Sequence, residues 1–186
     1  MNKKFGTKAI HAGIVPEPIT GAIMTPILQT STYVQQSPGV HKGYEYARTQ
    51  NPTRTVLENN LAALENGEHG ICFSSGMAAT DAIIKMLEPG DEVISCNDLY
   101  GGSYRLFTKT YEKYGIKFHF VDMNDPKNVE EKINENTKLL WIETPTNPML
   151  NIVDITALSK LAKSKNVLVV VDNTFASPYL QTPLDM

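Results

Sequence analysis

Val167-Leu-Val-Val-Val-Asp-Asn-Thr174 is the stretch that decides the fold. Its five consecutive apolar residues, four of them β-branched, show no polar alternation. Such a run predicts a strand buried on both faces, the signature of a parallel sheet. It ends on a carboxylate, Asp172, and a carboxylate at the end of a buried strand costs free energy unless a cation or donors meet it.

Outward from this strand the pattern alternates. Ile155, Leu158, Leu161 and Ala162 predict a helix before it, and Leu139-Leu-Trp-Ile142 predicts another buried strand. Further back stand a short helix marked by Val129 and Ile133, a strand at Lys117–Val121, a helix over 103–114 stopped by Gly115, and a strand at Glu92–Cys96. Ala78, Ala79, Ala82, Ile83, Met86 and Leu87 make one more apolar stripe, and Leu57, Leu61 and Leu64 another, with Gly67 as its stop. Strands alternating with amphipathic helices predict an α/β domain over 54–186, with a mainly parallel sheet covered on both faces. Residues 1–53 differ. They hold Pro16, Pro18, Pro26, Pro38 and Pro52 and show no helical period. They read as an extended arm that lies on something else, another subunit being the expected support.

Composition narrows the function class. A formal net charge of -3, with scattered basic residues, gives no ground for a nucleic-acid partner. Cys72 and Cys96 sit in apolar stretches, which suits free thiols in a reducing cytosol. No apolar run reaches the roughly 18 residues of a membrane span, and the basic N-terminus lacks the apolar core of a signal peptide. His11, His41, His69 and His119 are isolated, without metal-ligand spacing.

Ligands of parallel sheets bind beyond the carboxyl ends of the strands. That rule selects the loops after residues 74, 96, 142 and 171. In Phe73-Ser-Ser-Gly-Met77, Ser75 can cap a helix, Gly76 permits close approach, and the N–H groups of 76–78 can face an anion such as phosphate. A plain capped helix is the alternative. In Asp98-Leu-Tyr-Gly-Gly-Ser-Tyr-Arg105, Tyr100 can present its ring to a flat ligand or pack on the domain. In Glu143-Thr-Pro-Thr-Asn-Pro148, Asn147 can donate to a phenolate oxygen or simply serve the turn. Asp172 can meet a protonated pyridine nitrogen, a metal ion or an arginine, or cap the following turn.

These loops, with Thr7-Lys-Ala-Ile-His-Ala-Gly13, Pro26-Ile-Leu-Gln-Thr-Ser-Thr-Tyr33 and Tyr44-Glu-Tyr-Ala-Arg-Thr-Gln-Asn-Pro-Thr53, resemble the Cys/Met-metabolism, or transsulfuration, family of pyridoxal 5'-phosphate (PLP) enzymes. The resemblance implies the aspartate-aminotransferase-like PLP transferase fold (fold type I). It implies that Ser75, Gly76 and Met77 surround the PLP phosphate, that Tyr100 stacks on the ring and donates a proton to the leaving group, and that Asp172 pairs with the ring nitrogen. Asn147 would lie near the ring oxygen and the substrate carboxylate, and Thr174 near the cofactor. Tyr46 and Arg48 would reach the phosphate of a neighbouring subunit, so that the active site is shared within a dimer of dimers. Glu45 and Arg105 resemble positions that face substrate.

The implied activity is γ-elimination or γ-replacement with cystathionine as substrate or product, in the cytoplasm. O-acetylhomoserine sulfhydrylase, cystathionine β-lyase and methionine γ-lyase are the related alternatives, and Gly102 disfavours the last, whose members usually carry cysteine there. The family's Schiff-base lysine belongs to a segment expected beyond Met186, as does the C-terminal domain. The 186 residues therefore read as an N-terminal fragment, inactive alone, or as a non-catalytic truncated paralogue.

Overall fold

The computed structural model describes residues 4–186; the first three residues of the expected arm lie outside the described residues. The chain forms two compact units, divided between Cys72 and Phe73. The helix over Pro52–Leu64 therefore groups with the proline-rich segment, whereas the sequence pattern places the boundary at 53/54.

In the N-terminal unit, α1 spans Phe5–His11 and α2 spans Pro52–Leu64. The expectation of an arm without helix is corrected by α1. A seven-residue helix is too short to hold by itself, and tertiary bonds hold this one. Lys8 Nζ donates to Asn66 Oδ1 (3.0 Å), and Asn60 Nδ2 donates to the carbonyls of Lys8 (3.2 Å) and Ala12 (3.0 Å). Pro52 takes the first position of α2, and the Asn51 side chain caps it by accepting from Thr53 N at 2.9 Å. The stop of α2 is Asn66 in the left-handed region (φ 55°), not Gly67, whose N–H donates back to Ala62 O at 2.8 Å. The rest of the arm is irregular, apart from isolated bridges such as Thr32 with Tyr46.

The C-terminal unit carries a four-stranded parallel sheet, β1 (Glu92–Cys96), β2 (Lys117–Val121), β3 (Thr137–Glu143) and β4 (Leu168–Asp172), in the order β2-β1-β3-β4. Its helices are α3 (Gly76–Ile84), α4 (Gly101–Lys109), α5 (Pro126–Glu130), α6 (Ile155–Ser164) and α7 (Ser177–Leu180). The predicted 103–114 helix starts earlier and breaks after Lys109, with a 3₁₀ turn at Tyr111–Tyr114 before Gly115 (φ 86°). No strand precedes the Phe73–Ser75 loop among the described residues.

The core lies around β1 and β3. Phe107 of α4 is fully buried, stacked on Phe118 (4.7 Å between centroids, 7°) and edge-on to Trp141 (5.5 Å, 79°). The most hydrophobic run, β4, is not the most buried strand. It stands at the edge of the sheet among the described residues and is only partly covered, while β3 is buried at every position but Lys138. At the N-terminal end of the sheet, buried Glu92 accepts from Asn134 (2.8 Å), pairs with His119 (2.7 Å), and meets Lys117 (3.2 Å). This explains the isolated His119: it satisfies a structural carboxylate.

Candidate active site

The carboxyl ends of β1, β3 and β4 bring three acidic residues together: Asp98 just after β1, Glu143 at the end of β3 and Asp172 at the end of β4. Glu143 and Asp172 are register partners across the β3–β4 pair. The burial argument made for Asp172 belongs to Glu143. Asp172 is half-buried, whereas Glu143 is 4% exposed because its strand is central.

Glu143 is also the hub of the site. Its Oε2 accepts from Tyr100 N at 2.9 Å, and its Oε1 accepts from Asn147 N at 2.9 Å and from Tyr100 N at 3.2 Å. Burial pushes its carboxyl up to about 7, with the negative charges of Asp172 and Asp98 adding to the rise and the two N–H donors opposing it. Asp98 organises the same region from the other side. Its Oδ2 accepts from Thr146 Oγ1, from Met149 N (3.2 Å) and from Asn151 Nδ2 (3.3 Å), fixing the loop that carries Asn147. Ion pairs lie elsewhere, as at Arg54–Glu58, Lys85–Asp81 and around Glu92.

Tyr100 precedes α4 and is 45% exposed. Its ring occupies the space over Gly102: a Cβ there would fall 2.3 Å from Tyr100 Cε1 and 2.9 Å from Met77 Sδ. Residue 102 is thus approached both by the Tyr100 ring and by Met77 at the start of α3. The Ser75 hydroxyl caps α3, accepting from Ala78 N at 3.1 Å. Of the three N–H groups expected to face an anion, that of Ala78 is thus taken by the cap. Those of Gly76 and Met77 are first-turn donors without a helical partner, and nothing lies within 4 Å of the position a Gly76 Cβ would take.

Asp172 holds the turn after β4. Its Oδ1 accepts from Thr174 N (3.1 Å) and Thr174 Oγ1 (2.5 Å). The capping alternative and the ring-nitrogen alternative are compatible, because both bonds fall on one oxygen. Arg105 is exposed on α4. Glu45, Tyr46 and Arg48 belong to the N-terminal unit, where the Arg48 guanidinium lies 5.1 Å over the Tyr46 ring and all three side chains are exposed.

The arrangement offers two unengaged N–H donors at a helix start, an exposed aromatic ring, and carboxylates that no Lys, Arg or His pairs with among the described residues. These fit a flat ring with a phosphate on one side and a protonated nitrogen on another, as PLP has. No cluster of His, Cys, Asp and Glu suited to a metal ion occurs among the described residues. Sequence reasoning missed Glu143 and Asp98 as site residues. A glutamate closing the apolar run Leu139–Ile142 was the available signal.

Residues 6–186 match the family of Cys/Met metabolism PLP-dependent enzymes. The chain is 53% identical to a cystathionine β-lyase of Coxiella burnetii and 50% identical to a probable cystathionine γ-synthase of Herpetosiphon aurantiacus and to a cystathionine γ-lyase of Bacillus subtilis. Each match takes in 100% of this chain but 49%, 58% and 48% of the respective relative, so the chain spans about half the length of the curated relatives it matches. The crystal structure of metB from Corynebacterium glutamicum superposes with a TM-score of 0.97 at 48% identity, covering 99% of this chain and 48% of that one. A cystathionine γ-lyase from Lactobacillus plantarum, complexed with L-serine, superposes at 0.95 and 45% identity, covering 98% and 48%.

Proposed function

The chain belongs to the Cys/Met metabolism PLP-dependent enzyme family, and we propose that the protein carrying it is a transsulfuration enzyme that forms or cleaves cystathionine. The observation that carries this reading is the meeting of Tyr100, Asn147 and the Glu143–Asp172 pair at one end of the sheet, with no basic side chain paired to either acid among the described residues. Uncompensated carboxylates at a sheet end favour a cationic ligand.

In this reading Gly76 and Met77 donate main-chain N–H groups to the PLP phosphate, with the α3 dipole adding attraction. Tyr100 supplies the face for the ring, Asn147 a donor near the ring oxygen and the substrate carboxylate, and Asp172 the acceptor that keeps the ring nitrogen protonated. Bound there, PLP supplies an electron-accepting ring. Thr174 fixes the Asp172 carboxylate through Oδ1 and so aims Oδ2. The Tyr100 hydroxyl is read as the group that moves a proton to the leaving group.

Tyr46 and Arg48 are read as donors to the phosphate site of a second subunit, since a guanidinium fork suits phosphate. That makes the active site shared, in a cytoplasmic dimer of dimers. Glu45 and Arg105 are read as facing substrate.

The test uses the full-length protein. A yellow protein whose absorbance is fixed by borohydride onto a lysine supports the reading, and a colourless protein indifferent to added PLP overturns it. Profiling with cystathionine, cysteine and an O-acylated homoserine then separates γ-elimination, β-elimination and γ-replacement.

A further inference from the structure

We propose that Glu143 is a positioning residue, whose single buried carboxylate ties the Tyr100 loop to the Asn147 loop so that ring face and amide are set together. The inference rests on the PLP reading above and assigns a role to a residue that reading does not use.

The geometry is specific to a carboxylate. Both oxygens of Glu143 are acceptors here, Oε2 for Tyr100 N and Oε1 for Asn147 N and Tyr100 N. The two donors are main-chain groups on different loops, one following β1 and one following β3. Among the described residues no hydrogen bond joins Tyr100 directly to Asn147, and the Glu143 carboxylate links them. A glutamine could keep an oxygen toward Asn147, but its amide N–H would then face the Tyr100 N–H.

The surroundings argue against a purely structural purpose. The charged groups facing Glu143 are Asp98 and Asp172, both acidic. A buried carboxylate beside two others, met among the described residues by N–H donors, adds little to the stability of a fold that an apolar residue would serve as well. Its place at the sheet end that carries the candidate site is the expected mark of function. Glu92 offers the contrast within this chain: it sits at the other end of the sheet, where Lys117 pairs with it and His119 hydrogen-bonds to it.

The experiment compares wild type, Glu143→Gln, Tyr100→Ala and the double variant in full-length protein with PLP. Three quantities are read: the circular dichroism of the bound PLP band, the PLP dissociation constant, and kcat with KM for the reaction that profiling identifies. E143Q is expected to bind PLP within about threefold of wild type, to lose most of the dichroism, and to lose about 10-fold or more in kcat, the scale of a charged hydrogen bond lost. The double variant should fall no more than about twofold below Y100A, since residues acting through one another are not additive.

Wild-type dichroism and kcat in E143Q, or full additivity in the double variant, would overturn the inference while leaving the cofactor reading intact. Wild-type protein that takes up no PLP would overturn both. Should E143Q fail to unfold cooperatively, Glu143→Asp is measured in the same way. It keeps a carboxylate too short to reach both loops, and a failure of both variants to fold would make Glu143 a fold residue and overturn the proposal.

Discussion

The ring of Tyr100 lies where a side chain on residue 102 would have to be. A Cβ there would approach Tyr100 Cε1 to 2.3 Å and Met77 Sδ to 2.9 Å. The glycine serves the tyrosine rather than the turn, since Gly102 is not among the glycines with positive φ.

Gly102→Ala should therefore displace Tyr100 even though alanine favours the helix. Overpacking costs roughly 1–3 kcal/mol, more than the about 0.5–1 kcal/mol that Gly-to-Ala gains in a helix interior. The expected result is a lower unfolding midpoint together with a reduced PLP dichroic signal. An unchanged signal would show that the ring sits elsewhere when the cofactor is bound.

Asp172→Asn retains an oxygen for Thr174 N and Thr174 Oγ1 while removing the charge that would hold the ring nitrogen protonated. Steady-state kinetics should show activity lost by a factor on the order of 100 or more, as for other removed electrostatic partners of a reacting group. Thermal unfolding of the cofactor-free protein should stay close to wild type. Full activity in this variant would dismiss the assigned role.

The two buried glutamates predict opposite slopes of stability against pH. Glu92 is held down to about 2, first by the Asn134 hydrogen bond and then by His119 and Lys117. Its contribution, up to about 3 kcal/mol, is present above the ordinary value near 4.5 and is lost as pH falls toward about 2. Glu143 is pushed up to about 7. The folded state then binds the extra proton, so stability from this group is full below about 4.5 and declines as pH rises toward about 7. Urea unfolding of the cofactor-free protein across pH should show both limbs. E92Q should flatten the acid limb only, and E143Q the neutral limb only.

The strands β1, β2 and β3 and the helix α6 were legible because each is an unbroken apolar run or a clear 3.6-residue stripe. The loops carrying Tyr100, Asn147 and Asp172 were legible because the strand-end rule picks loops without needing contacts. Glu143 lies in one of those loops but escaped as the buried acid because the cost of burial follows strand position, not hydrophobicity: β3 is interior and β4 stands at the edge, which only the sheet order reveals. Helix α1 escaped because its stability comes from Asn60 and Asn66, about fifty residues away, and no local pattern encodes that.

Trp141 is the sole tryptophan of these 186 residues. It is buried against Phe107 and lies two positions before Glu143 on the strand that carries the hub of the site. Nature has thereby placed an optical reporter inside the wall on which the loops hang. Shifts in its emission would register a loosening of that wall without any label being attached.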